Sequence, residues 1–473
     1  MKHSLSTLGL LTLSCVTAQA SFAKSAKQTE KSPNIIFILI DDMGINDLGC
    51  YGNPLVETPV IDNFASEGMV FTQAYASPVS SATRTSILSG QNTARHKVWE
   101  VLGCNDRPYA QFQSPEFRQE LPEEIETYAD ILTDAGYDCG IFGKWHAGRT
   151  PEAEGFGGCD VEITDPELQA YAKKYNFQQA GKITAQSIEF MRKNQDKPFM
   201  LCVSHFLVHA PLTAPKQLTD YYSQKIRQSG ITTWHPEYLS MIDMVDNSVD
   251  MVLSELRELG LEENTIVILS SDNGGLEEDM MLATPVAGCN DPYRSQKGDL
   301  YEGGIHIPFI VKWPGRVEAG ASCDEVIINY DLFSTFLELG GATAPADQVA
   351  DGLSLVPLFK GEVESLEREA VHWHFPTNMW TRNPMGAIRK GNYKLIENFT
   401  DGSVELYDVV NDKGEVMDLS TSKSALAAEM LEDLHQWREE IGAEMPTPNP
   451  NYDPLRAHEM AQDWWKDAGR GGY

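Results

Sequence analysis

Positive charge is what this sequence has least of. Lysine and arginine together number 37 against 69 aspartates and glutamates, a formal net charge of −32. Phosphate backbones need a cationic surface, so nucleic acid is excluded as a partner. An anionic substrate would need a local cationic pocket strong enough to overcome the field of the rest of the chain. Surface acid in such excess suits a salty medium, where repulsion is screened. Long apolar runs are scarce too: past the N-terminal leader no stretch is apolar enough to cross a bilayer, so no transmembrane segment is expected. The eight cysteines include no Cys-x-x-Cys pair, which removes the usual zinc spacing. Beyond Cys15 the cysteines are odd in number, so at least one thiol is unpaired. Cys139 and Cys202 fall in predicted buried strands and read as core thiols. Long internal repeats and low-complexity blocks are absent as well.

What is present begins with a leader. Lys2 and His3 give a basic start, an apolar run extends from Leu8 to Val16, and Ala18-Gln19-Ala20 offers a small-x-small cleavage site. Residues 1–23 therefore read as a signal peptide, and the mature protein as periplasmic or secreted. Cys15 lacks the upstream Leu of a lipoprotein site.

Four apolar runs then end in chemistry. Ile35 to Ile40 is followed by Asp41-Asp42-Met43-Gly44, and Tyr137 to Phe142 by Gly143-Lys144-Trp145-His146. Pro198 to Ser204 leads to His205 and His209, and Thr265 to Ser271 to Asp272-Asn273-Gly274-Gly275. Continuous apolar runs of this length mark strands of a parallel sheet covered on both faces, and the carboxyl edge of such a sheet is where ligands bind. Gly44 is read as the turn that lets both aspartates converge, and Lys144 and His146 as alternating on one side of an extended segment. Oxygen-only donors at Asp41, Asp42, Asp272 and Asn273 suit a hard divalent cation. A fifth stretch, Ser77 to Gly90, reads as a loop turning into a helix with Ser80 at its start, facing unpaired backbone donors, and Arg84 one turn on. Alone, it also fits an ordinary capped helix. Helices are expected after Thr58-Pro59 and over 121–135, 179–194, 237–259, 331–339 and about 424–441. A short antiparallel sheet is expected from 386–396 and 405–408.

Ser80-Ser81-Ala82-Thr83-Arg84 fits the sulfatase signature Cys/Ser-x-Pro/Ala-x-Arg. With Asp41-Asp42, Gly143-Lys144-Trp145-His146, Asp272-Asn273-Gly274 and Lys297-Gly298-Asp299-Leu300-Tyr301-Glu302-Gly303-Gly304, the chain resembles the formylglycine-dependent, arylsulfatase-type sulfatases of the alkaline-phosphatase-like superfamily. The resemblance implies an α/β fold: a large, mostly parallel sheet sandwiched by helices over 24–355, with a smaller C-terminal α+β subdomain over 356–473. It implies a cation, Ca²⁺ ahead of Mg²⁺, held by Asp41, Asp42, residue 80, Asp272 and Asn273. It also implies formylglycine made from Ser80 by a separate, serine-type maturation enzyme. Arg84, Lys144 and Lys297 would place positive charge at the sulfuryl group. His146 would be the base that clears the product, and His209, with Lys297, would assist the departing alcohol. Two departures stand out: Val208 replaces a proline before His209, and His306 replaces an arginine whose role is not carried over.

The chemistry implied is sulfate ester hydrolysis, with sulfated polysaccharide or oligosaccharide as the leading substrate. Trp99, Arg294, His374, Trp380 and Arg382 are expected to form a sugar-binding rim. The rival readings are a phosphoester or phosphonate hydrolase of the same superfamily working with unmodified Ser80, and a non-catalytic glycan-binding protein of the same fold.

Overall fold

The apolar run before Asp41 becomes the middle of a seven-stranded sheet. Its strands are β1 (Asn34–Ile40), β2 (Met69–Phe71), β3 (Asp138–Gly143), β4 (Phe199–Ser204), β5 (Thr265–Ser271), β6 (Phe309–Lys312) and β7 (Ala321–Cys323). They lie in the order β7-β2-β6-β5-β1-β4-β3. The run β3-β4-β1-β5 is parallel throughout, and β6 alone runs against its neighbours. Side chains alternate along β1: Ile36, Ile38 and Ile40 enter one core, Ile35, Phe37 and Leu39 the other. Each such buried aliphatic side chain contributes ~2 kcal/mol, which is why the strand has no polar face. The computed structural model describes Met1 and residues 32–101, 107–279, 284–285, 288–379 and 382–459. Apart from Met1, the expected leader lies outside the described residues, as do Cys104, Trp380 and the aromatic tail at Trp464-Trp465.

Helices cover both faces. On one side lie α1 (Pro59–Ser66), α6 (Ala180–Asn194) and α7 (Pro236–Glu258). On the other lie α2 (Ser80–Ser89), α4 (Tyr128–Asp134) and α8 (Asp331–Gly340). Smaller helices α3 (Thr93–His96) and α5 (Pro166–Lys174) complete the set used below. The stripe expected on α7, Leu239, Ile242, Val245, Val249, Val252 and Leu256, is buried. The helix expected over 121–135 is half that length. Thr127 forms a capping box with Asp130, so the helix starts there, and Pro122 and the apolar residues before the cap belong to irregular chain.

The C-terminal part is a four-stranded antiparallel sheet, β8 (Val371–Phe375), β9 (Met385–Lys390), β10 (Tyr393–Asn398) and β11 (Val404–Asp408). One face is covered by α9 (Ser424–Ile441) through Ala427, Met430 and Leu434. The other carries Trp373, Phe375, Ala387 and Ile396 against Tyr75, Val79 and Ala82, so the small sheet backs the segment that delivers Ser80. Trp373 Nε1 donates to the Ala76 carbonyl at 2.9 Å. The strand β8 was not anticipated, because its His-x-His spacing reads equally as a binding rim. The six described cysteines, Cys139 and Cys202 among them, are free thiols.

Candidate active site

Four strand ends and one helix start converge. Past β1, Asp41 is tied to the chain after β4 by a reciprocal backbone pair, Asp41 N–H to Leu207 O (2.8 Å) and Val208 N–H to Asp41 O (2.7 Å). The turn expected at Gly44 is made one step earlier, by Asp42 itself at φ +62°. A left-handed aspartate costs about 1–3 kcal/mol, and the surrounding hydrogen bonds hold it there. Gly44 is required for another reason: a Cβ would lie 2.7 Å from Asn290 Oδ1. Tyr238 supports the same turn, its hydroxyl reaching the Asp42 carbonyl (3.2 Å) and the Asp47 carboxylate (2.5 Å).

Ser80 is the first residue of α2, and every residue of that helix is buried, unlike a capped surface helix. Its Oγ lies 3.2 Å from Asp41 Oδ1, 3.1 Å from Asn273 Oδ1 and 3.4 Å from Lys144 Nζ. Asn273 Nδ2 donates to Asp42 Oδ1 (2.8 Å), and Asp42 N–H to Asp272 Oδ1 (3.2 Å). Each carboxylate has its own cation: Arg84–Asp272 at 2.7 Å, Lys144–Asp41 at 2.6 Å and Lys297–Asp42 at 2.6 Å. Arg84 is bonded mainly to the protein itself. Its Nε and Nη2 are spent on Asp272, and its Nη1 on the Lys144 carbonyl (3.0 Å) and Ser204 Oγ (2.7 Å). It braces the ends of β3, β4 and β5 with four of its five N–H donors.

The electrostatics follow from these pairs. Burial would raise Asp41 and Asp42, but Lys144 and His209 beside the first, and Lys297 and His209 beside the second, hold both below the usual carboxylate range. Burial draws Lys144 down, with Asp41 and Asp272 opposing, whereas Asp42 and Asp41 more than offset burial at Lys297 and hold it up. His146 is not on an extended segment with Lys144 as expected, since the chain turns at its φ of +51°. Burial, then the charges of Lys144, Arg84 and Lys297, push it well below the ordinary imidazole value, and its Nδ1 is buried without a hydrogen-bond partner. His209 Nε2 stands 3.7 Å from Asp42 Oδ2 while its Nδ1 faces the Ala210 carbonyl. His205 is a core residue on Ser248 (2.9 Å).

Asp42 Oδ2 is buried with no hydrogen-bond partner, and ligand atoms of Asp41, Asp42 and His209 all lie within 4.8 Å of one another. With Asn273 Oδ1 beside Ser80 Oγ, that donor set fits a hard divalent cation. The part of His209 as a possible third donor was not read from the sequence. Neither were Asn290, whose amide bonds the Gly275 and Ser295 carbonyls, nor Ser204, because an isolated Asn or Ser carries no spacing signal.

Two residues of the expected rim, Trp99 and His374, lie in the core instead. Trp99 is fully buried edge-on to His374, which is itself 2% exposed and bonded through Nε2 to the Glu444 carbonyl (2.8 Å). Both are packing residues. Arg294 lies over the Tyr301 ring at 3.7 Å and donates to the Tyr407 hydroxyl (2.9 Å), which fastens its loop to β11. Arg382 pairs with Asp299 at 3.1 Å, two residues from Lys297. His306 stacks on Tyr75 with ring centres 4.9 Å apart and faces Glu302.

The chain matches the family described as Sulfatase over residues 33–342, and that described as N-sulphoglucosamine sulphohydrolase, C-terminal, over residues 295–440. It is 31% identical to N-acetylgalactosamine-6-sulfatase of Canis lupus familiaris over 395 residues, 76% of this chain and 71% of that one. It is 28% identical to arylsulfatase A of Homo sapiens over 477 residues, 86% and 87% of the two chains. Among solved structures, Ps i-CgsB in complex with k-i-k-neocarrahexaose superposes with a TM-score of 0.70 at 23% identity, covering 93% of this chain and 98% of the other.

Proposed function

The chain belongs to the sulfatase family and is a sulfuric ester hydrolase, and from that premise we propose that it desulfates a polysaccharide or its oligosaccharides with formylglycine at position 80 and Ca²⁺ as the cation. The observation that carries the reading is the single buried nest around Ser80 Oγ, in which Asp41, Asn273 and Lys144 all lie within 3.4 Å. The carbohydrate class is supported by a relative named for N-acetylgalactosamine and by a structural neighbour holding a neocarrahexaose. Among the described residues no helix is long and apolar enough to cross a membrane. The sequence pattern of 1–23 supports export to the periplasm or beyond.

Asp41, Asp42, Asp272 and Asn273 would hold the cation, with residue 80 and His209 beside it; when bound, it supplies charge that orients the nucleophile and polarises the sulfate. Formylglycine, hydrated, supplies one hydroxyl to attack sulfur and a second whose deprotonation frees the product. The chain's residues do the rest. Three carboxylates and three cations leave the nest close to neutral, so a divalent ion turns it into the local positive pocket that an anionic substrate needs in a chain of −32. Lys144 holds its charge beside the oxygen of residue 80 and favours its ionised form. His146, whose Nδ1 is buried without a hydrogen-bond partner, would take a proton from residue 80. His209 and Lys297 serve the departing alcohol, and Arg382, beside the Lys297 segment, is a candidate for contact with the sugar.

The test is the mass of the peptide containing residue 80, from protein made with and without a serine-type formylglycine-generating enzyme. Oxidation of serine to the aldehyde makes the peptide about 2 Da lighter. Activity on 4-nitrophenyl sulfate is expected only in that preparation, with 4-nitrophenyl phosphate turned over far more slowly. Full sulfatase activity with an unaltered serine overturns the proposal.

A further inference from the structure

The turn between α5 and α6 holds two consecutive non-glycine residues in the left-handed region, Gln178 at φ +46° and Gln179 at φ +57°. Gln179 itself is exposed. The consequence of the turn is to bring Gln178 over the chain after β4. Gln178 Nε2 donates to the His209 carbonyl (3.2 Å) and to the Pro211 carbonyl (2.8 Å). On the other side of His209, the backbone pair between Asp41 and Leu207-Val208 fixes the same chain to the metal-binding strand. His209 is thus held from both directions, by β1 before it and by one amide after it. Backbone strain of this kind persists where the surroundings over-determine it, and it clusters at functional sites. We infer that Gln178 is a positioning residue for the sulfatase reaction: its amide sets the imidazole of His209 against the departing alcohol. The inference rests on the leaving-group role proposed for His209.

A residue that acts only through His209 matters in proportion to how much help the leaving group needs. In matured enzyme, Q178M keeps the length of the side chain and removes both N–H donors. Its kcat on phenyl sulfate, a poor leaving group, is expected to fall about tenfold or more, with little change on 4-nitrophenyl sulfate and in KM. H209A should show the same selectivity more strongly, and the double variant should be no worse than H209A. Q179G relieves one strained residue, leaves the contact in place and should match the parent. If Q178M does not fold, Q178A is read in the same way. A variant of Gln178 that slows both esters equally, or neither, while H209A keeps its selectivity, overturns this inference alone. If H209A is indifferent to the leaving group, the role proposed for His209 falls and the inference with it.

Discussion

His96, on α3, lies beneath the helix that delivers Ser80. Its Nδ1 accepts from the Val98 N–H (3.0 Å), which leaves Nε2 to donate to Ser86 Oγ on α2 (2.9 Å). Burial, then the charge of Arg118, pushes it down from the ordinary 6.5 to about 3. Between those values the unfolded chain binds a proton that the folded one refuses. The contribution of His96 is therefore whole above pH 6.5 and is lost as pH falls toward 3. H96Q gives up two neutral hydrogen bonds, about 1–2 kcal/mol at pH 8, and should melt below the parent there. At pH 5 the gap should narrow, because glutamine carries no such penalty; thermal unfolding at the two pH values measures this, and a constant gap refutes it. The side chains of the candidate site were legible at this same scale because Ser80, Asp41, Asp42, Asp272, Asn273, Lys144, His146, His209 and Lys297 sit in short motifs. Their supports were not: Asp42 takes the turn assigned to Gly44, and Arg84 pairs with Asp272. Both depend on partners more than a hundred residues away.

Elements were legible where burial on both faces writes a continuous apolar run, as in β1, β3, β4 and β5. They were obscured where a partner supplies the reason for burial. The strand β8 is hidden by its histidines, which pack on Trp437 and Trp99 rather than face solvent. The junction of the small sheet with the large part is another case. Lys394 on β10 pairs with Glu302 (2.7 Å) and Glu415 (2.9 Å), and all three are at most 2% exposed. Burial pushes Glu415 up to about 7, while Lys394 and His306 overcome burial at Glu302 and hold it down. Lysine thus compensates a charge that would otherwise lie bare in the interface. K394M should destabilise by about 3–5 kcal/mol, because a buried carboxylate loses its partner. K394M combined with E302Q should recover much of that loss in denaturant unfolding. If the double variant is as weak as the single, lysine was serving as packing and the ion pairs carry little.

At the scale of the whole molecule the governing quantity is the charge of −32. The local nest would become positive only with a cation, and it occupies the carboxyl edge of one sheet, whereas a sulfated chain of several sugars would extend past it into the field of a chain of net charge −32. Repulsion over that distance acts when the Debye length is long, roughly 30 Å at 0.01 M salt, and fades when it is about 8 Å at 0.15 M. A small aryl sulfate with one charge meets chiefly the nest, whose ion pairs are buried and little screened. The two substrates should therefore answer salt differently. From 0.01 to 0.3 M NaCl, kcat/KM on a multiply sulfated oligosaccharide should rise severalfold, mostly through KM, while 4-nitrophenyl sulfate changes little or declines slightly. A fall in parallel for both substrates would mean that steering by the nest dominates at every range, and that the acidic surface lies away from the path of the polymer.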